Sequence, residues 1–216
     1  MEPTRVGVIG SGSVGRALAA GLAAHGHEVT IGTRVPEEND DLQAWAAQQD
    51  GVAIGSFAAA AEGGDLLVLA TRGTAVEEAI ATAGAQHFAG KLVIDATNPL
   101  DFSGGGPALA VAHSDSGGET VQRALPDARV VKALNTVNAG RMVDPGLPGG
   151  PHPMFIAGDD DAAKTTVAEL LADFGWNAFD VGGIERAREL ESLVILWVAI
   201  GQRRGAWDHA FTLVSP

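Results

Sequence analysis

The segment Gly10-Ser11-Gly12-Ser13-Val14-Gly15 is a complete G-x-G-x-x-G. The spacing alone is a weak signal, because any glycine-rich turn can produce it. Its setting is what constrains the fold. Val6-Gly7-Val8-Ile9 before it reads as a buried strand, and residues 14–25 after it read as a helix. A glycine turn at the head of a βαβ unit brings backbone close to a dinucleotide pyrophosphate. Gly10 permits the tight turn, Gly12 leaves room for the phosphates, and Gly15 lets the helix pack on the strand. Unpaired N–H groups at the helix start favour the anion, so Ser11, Ser13 and Val14 join the candidate cofactor contacts.

Short apolar runs alternate with helical patterns down the chain. Strands are predicted at 5–9, 28–31, 52–54, 66–70, 92–95 and 129–133, and helices at 14–25, 41–49, 57–61, 74–83 and 118–125. The strands show little polar alternation, as expected when helices cover both sheet faces. This pattern predicts an α/β Rossmann fold, a doubly wound parallel sheet whose ligand crevice lies at the carboxyl ends of the strands. Residues 1–137 form the dinucleotide-binding domain in this reading. Residues 138–216 pack on the same domain through a Gly/Pro-rich loop at 138–153, a strand at 154–157, a helix at 161–174 and a short strand at 178–180. After Gly182-Gly183 a long helix from Ile184 to about Arg203 supplies a small C-terminal helical cap. Its apolar stripe of Leu190, Leu193, Val194, Trp197 and Ile200, with Phe211 and Leu213, predicts a homodimer built partly through these helices. Residues 102–119 are Gly/Ser-rich and are predicted to be a mobile loop that closes over the acceptor.

The tip of the second strand discriminates between cofactors. NAD sites usually place Asp or Glu there to accept from the ribose hydroxyls. This chain has Thr30-Ile31-Gly32-Thr33-Arg34, with no acid. The Thr33 hydroxyl and the Arg34 guanidinium suit a 2′-phosphate, which predicts NADP(H). Later strand ends should line the same crevice. Ala70, Thr71 and Arg72 follow the fourth strand, Asn98 and Pro99 the fifth, and Asn135 and Thr136 the sixth. The first five are expected on the cofactor and the last two on the second substrate. Lys132 and Asp95 either face that crevice or form a structural pair at the sheet's end.

Composition closes off other chemistries. A net charge of −13 and the absence of a basic run argue against nucleic-acid and membrane-surface partners. With no cysteine there are no thiolate metal sites, iron–sulfur clusters or cysteine nucleophiles. The apolar run 193–200 falls short of the roughly 20 residues of a membrane span, and the first residues read as a strand rather than a signal segment, which predicts a cytoplasmic protein. His25-Gly26-His27 sits at a helix end and lacks acidic partners at ligand spacing, so no metal site is expected. Asp159-Asp160-Asp161 is read as the cap of the following helix.

The chain has no tyrosine, which removes the Tyr-Lys acid/base pair of many ketone reductases. Hydride transfer between two planar heterocycles needs stacking, exclusion of water and correct distance, and no such pair. No catalytic side chain is therefore assigned. Trp197 and Trp207 are candidates for the acceptor pocket, or else core or interface residues.

At these residues the chain resembles the NADPH-dependent oxidoreductases of 8-hydroxy-5-deazaflavin (coenzyme F-420). The resemblance rests on residues 8–15 and 31–34, Asp95-Ala96-Thr97-Asn98-Pro99-Leu100, Val131-Lys132-Ala133-Leu134-Asn135-Thr136, residues 154–160, and Ala187-Arg188-Glu189-Leu190-Glu191. The cytosolic reductase domains of STEAP metalloreductases are similar in the same places. The resemblance implies hydride transfer between NADP(H) and a small-molecule redox acceptor, a deazaflavin or flavin. Established deazaflavin reductases tend to carry a second basic residue where this chain has Val35, and His where it has Asn135. Two other functions remain open on the residues alone. One is NADPH-dependent reduction of a small carbonyl or imine, with Asn98, Asn135 or a water relaying the proton. The other is a non-enzymatic NADP(H)-binding sensor.

Overall fold

A computed structural model describes residues 2–214; residue 1 and residues 215–216, the outer ends of the two predicted divisions, lie outside the described residues. Strands β1 (Arg5–Ile9), β2 (Glu28–Thr33), β3 (Val52–Ser56), β4 (Leu66–Leu69) and β5 (Leu92–Asp95) pair in parallel, and β8 (Arg129–Lys132) extends them beyond β5. The whole sheet has the order β10-β9-β8-β5-β4-β1-β2-β3, where β9 is Pro153–Gly158 and β10 is Asn177–Asp180. A separate hairpin joins β6 (Leu100–Asp101) to β7 (Ala108–Leu109).

Helices cover both faces, which is why the strands lack polar alternation. One core packs Leu18 and Leu22 of α1 (Ser13–Ala24), Leu42 of α2 (Asp40–Ala46) and Val167 and Leu171 of α6 (Asp161–Asp173). The other packs Phe57 of α3 (Phe57–Gly63), Ile80 of α4 (Val76–Ala83) and Val121 of α5 (Gly117–Ala124). The acid run caps α6 as predicted, with Asp160 Oδ1 accepting from Ala163 N at 2.7 Å.

Three expectations need correction. The sheet is not wholly parallel: β9 runs antiparallel to β8, with Val131 opposite Gly158, and β10 runs parallel to β9. The connection from Lys132 to Pro153 contains only one 3₁₀ turn, Ala139–Arg141. With no crossover helix, the chain returns on the same edge and must reverse direction. The predicted loop 102–119 is largely structured at its ends. Ala108 and Leu109 pair back onto β6, and Ser116 starts α5 by accepting from Glu119 N at 3.1 Å while donating to the Glu119 carboxylate at 2.8 Å. Only half of a capping box forms at this Ser-x-x-Glu: the Ser116 backbone N–H donates to Asp115 Oδ1 rather than to Glu119.

The third correction concerns α7 (Ala187–Arg204), whose apolar stripe divides. Leu190, Val194 and Trp197 are buried within the chain, whereas Leu193 and Ile200 are only partly covered and Leu196 is 52% exposed. Gly205 ends the helix in the left-handed region at φ 65°, and the segment after it folds back so that His209 O accepts from the Trp197 indole at 3.0 Å.

Candidate functional site

The carboxyl ends of β1, β2 and β4 open into a cavity of about 490 Å³. Its floor is the glycine turn, and each glycine there has its own reason. Gly10 adopts φ 124°, and a Cβ on it would stand 2.6 Å from the Ala70 carbonyl oxygen and 2.9 Å from Thr71 N. A Cβ on Gly15 would overlap the Gly10 carbonyl oxygen. A Cβ on Gly12 would meet nothing within 4 Å, so the space above it is open. Helix α1 starts at this open point with no side-chain cap and no acid in its first turn. Its first N–H groups are therefore left for an anion.

Thr33 and Arg34 form the β2 side of the cavity, and Ala70, Thr71 and Arg72 the β4 side. Phe57, Ala75 and Ala79 add apolar wall, while Asn39, Glu78 and Thr82 add polar groups. Arg16, beside the turn, is already committed: it donates to Ser11 O and to Asp41 and lies over the Trp45 ring. Arg34 and Arg72 are not. Among the described residues the cations without a hydrogen bond or ion pair are Arg34, Arg72 and Arg203, in a chain where 27 acids face 14 basic residues. Two of these lie in one cavity.

Of the predicted cofactor residues, Gly10 to Val14, Thr33, Arg34 and Ala70 to Arg72 line the cavity together. Gly15 lies behind the turn. Asn98, Pro99, Asn135 and Thr136 are not part of its lining; they sit at the ends of β5 and β8. Gly73 links the two groups, because a Cβ there would overlap the Asn98 carbonyl. Asn98 Nδ2 donates to Asn135 O at 2.8 Å, and Asn135 Nδ2 donates to Leu190 O of α7 at 2.7 Å. The Leu190 carbonyl fixes the amide orientation, leaving Asn135 Oδ1 buried and without a partner. Leu134 just before it is held at φ 59°, a conformation unfavourable for a branched side chain.

Beneath these residues lies a buried ionic cluster. Lys132 Nζ contacts Asp95 Oδ2 at 2.9 Å, Glu191 Oε1 at 2.8 Å and Thr97 O at 2.6 Å, with the Lys132 and Asp95 side chains 0% and Glu191 1% exposed. Asp95 Oδ1 also accepts from Thr97 N and its hydroxyl. Glu191 accepts from Gly117 N at 2.8 Å and Gly118 N at 3.0 Å, and so caps α5. Burial alone drives Lys132 towards its neutral form, but the carboxylates of Asp95 and Glu191 more than reverse this and hold its pKa above the ordinary value. Of the two sequence alternatives for Lys132 and Asp95, the structure shows the pair at the sheet's end. A second clamp ties α7 to α5: Arg188 donates to both oxygens of Glu119, holding that carboxyl below its usual range.

Glu191 is a site residue that the sequence reading misses, although the chain carries a signal for it. It falls on the buried face of α7 with Ala187 and Val194, and an acid in an apolar stripe requires a buried partner.

Trp197 and Trp207 lie elsewhere. Trp197 stacks on His209 at 4.8 Å and leans on Trp207 at 5.5 Å, in a small cluster with Leu100 and Leu109 of the hairpin. Neither indole lines the cavity. His25 and His27 are engaged locally, with Gly21 O and Asp173 O on the first and Thr4 N on the second.

The comparisons with known proteins converge on one group. Residues 5–99 match the family model described as NADP oxidoreductase coenzyme F420-dependent. An F420-dependent NADP reductase of Methanothermobacter marburgensis is 32% identical over 209 residues, covering 88% of each chain. The chain belongs to the coenzyme F420-dependent NADP oxidoreductase family. A candidate F420-dependent NADP reductase from Arthrobacter sp. FB24 extends the family likeness to structure, with 42% identity, a TM-score of 0.95 and coverage of 99% of this chain and 100% of the other. The family match at 5–99 spans the glycine turn, Arg34, Arg72 and Asn98, and stops short of Asn135 and α7. Rat metalloreductase STEAP3 is 28% identical over 89% of this chain, which spans only 36% of that protein.

Proposed function

We propose that the chain is an NADP(H)-dependent oxidoreductase that passes a hydride between NADPH and a deazaflavin or flavin-like acceptor. The β2 tip carries this reading: Thr33 and Arg34 present free donors to the cavity where an NAD site would place an acid. The open space above Gly12 and the uncapped start of α1 fit a pyrophosphate, held by Gly10, Ser11, Gly12, Ser13 and Val14. Gly15 keeps α1 close behind them. Ala70, Thr71 and Arg72 form the facing wall. Asn98 and Pro99 are assigned to the nicotinamide half, and Asn135 and Thr136 to the acceptor. Trp197, with Trp207 leaning on it, supports the acceptor side through Leu100 and Leu109.

The bound nucleotide supplies the hydride when reduced, and the protein supplies placement. Its task is to hold two flat rings in contact and exclude water, for which no acid/base pair is required. The names borne by the Methanothermobacter and Arthrobacter relatives favour the deazaflavin.

Calorimetric titration with each nucleotide tests the cofactor. Charge-assisted hydrogen bonds contribute roughly 1.5–3 kcal/mol. Arg34→Ala should therefore weaken NADPH about ten- to a hundredfold and leave NADH almost untouched. Adding Thr33→Asp should tilt preference towards NADH. Equal wild-type affinity for both nucleotides contradicts the assignment. Oxidation of NADPH by a deazaflavin, riboflavin or a carbonyl panel tests the acceptor; turnover with the carbonyls alone contradicts it.

The same proposal includes a cytoplasmic homodimer. Leu193, Leu196 and Ile200 on the outer side of α7, together with the half-exposed Leu213, supply an apolar face for a second copy. No helix among the described residues is long and apolar enough to cross a membrane. A monomeric mass by light scattering at micromolar concentration rules out the dimer, and recovery in a membrane fraction rules out the location.

A further inference from the structure

Arg72 is launched from a clamped piece of backbone. On one side Gly10 packs against the Ala70 carbonyl and Thr71 N; on the other, Gly73 packs against Asn98 and Pro99 so closely that a Cβ would overlap them. The guanidinium at this fixed turn lines the cavity yet pairs with nothing among the described residues, although Glu78 lines the same cavity. Among the described residues the buried Thr71 hydroxyl beside it is also without a partner. An anion can therefore engage Arg72 without first breaking an ion pair.

The sheet order sets the two free cations apart. β1 lies between β2 and β4, with the glycine turn at its end. Neighbouring strands stand about 4.8 Å apart, so Arg34 and Arg72 start from strands roughly 10 Å apart, on opposite sides of that turn. Arg34 shares its strand end with Thr33. Both arginines start one strand from the glycine turn, but Gly10 packs on the Ala70 carbonyl and Thr71 N, one residue before Arg72, whereas on the β2 side Gly10 N donates to Gly32 O, two residues before Arg34. We propose that Arg72 is the counter-ion of the pyrophosphate. It grips the part common to NADPH and NADH, and Arg34 with Thr33 chooses between them. This rests on the nucleotide reading above and divides its two cations by task.

The division is tested by titrating wild type, Arg72→Ala, Arg72→Lys and the Arg34→Ala/Arg72→Ala pair with NADPH and with NADH, alongside thermal melts. Arg72→Ala should weaken both nucleotides by the same factor, about ten- to a hundredfold. Arg72→Lys should recover most of that affinity, because a point charge still neutralises a pyrophosphate. The two losses should multiply for NADPH, since the cations serve separate groups. Arg72 is exposed, so the melting temperature should not move. A loss confined to NADPH would assign Arg72 to the 2′-phosphate and overturn the proposal, as would unchanged binding of both nucleotides. A wild type that binds neither nucleotide refutes the proposed function itself. Arg34-dependent discrimination that survives with Arg72 inert refutes only this division.

Discussion

Lys132→Met should lower the melting temperature by roughly 6–20 °C. Removing one member of a buried ion cluster costs about 3–5 kcal/mol, because the partners left behind stay buried and unpaired. For a domain of this size each kcal/mol moves the transition by roughly 2–4 °C. The methionine fills nearly the same space, so a cavity is not the cause. It leaves the Asp95 and Glu191 carboxylates facing each other at a site closed to water. Glu191→Gln should cost less, because its carbonyl oxygen can still accept from one of Gly117 N and Gly118 N. A loss below 1 kcal/mol for Lys132→Met in denaturant unfolding would contradict a working cluster. The pH behaviour follows from the raised Lys132 pKa. Its contribution is complete below the ordinary lysine value and is lost only as the pH rises through the higher folded value. The contribution of Lys132 itself should therefore be constant across the neutral range.

Gly12→Val is expected to abolish nucleotide binding in a protein that folds normally. The residue lies in the extended region, at φ −74° and ψ −171°, which any side chain can adopt. Among the described residues nothing stands within 4 Å of the new Cβ, so the only loss is a poorer N-cap for α1, and the melting temperature should fall by no more than about 4 °C. The isopropyl group fills the space assigned to the pyrophosphate and displaces it from the N–H groups of α1. The clash and the lost charge-assisted bonds together predict a weakening on the order of 10²- to 10⁴-fold. Gly15→Ala provides the contrast. Its methyl would overlap the Gly10 carbonyl oxygen, so stability should fall as well. Wild-type NADPH affinity in Gly12→Val would mean that the ligand does not lie over the turn.

The parts of the site that could be read from the sequence are those that local chemistry specifies. A glycine turn between a strand and a helix has one favoured geometry, and Thr33-Arg34 lies where a strand end must emerge. The direction of β9 is different in kind. An apolar run encodes a strand and not its polarity, which depends on the connection. The missing helix between Lys132 and Pro153 was the available clue. Asn98 and Asn135 are partners because β5 and β8 are neighbours in the sheet, a relation that spacing along the chain does not reveal. Glu191 is harder still. Its partners come from β5, β8 and the start of α5, and only the docked position of α7 brings them together. The sequence leaves Trp197 and Trp207 open between pocket and core, because side-chain type alone does not distinguish a ring that meets a ligand from one that meets His209.

The carboxylate that completes the buried cluster is delivered late. Gly117 and Glu191 are 74 residues apart in the chain. At a synthesis rate of about 5–20 residues per second, α5 emerges roughly 4–15 s before its cap does. Throughout that interval a nascent chain has the glycine turn and the central strands but only part of the charge compensation around Lys132. The last helix thus acts as the closing bolt of the central sheet, and a ribosome-bound chain paused before Glu191 holds a nucleotide cradle whose neighbouring strand ends are not yet locked.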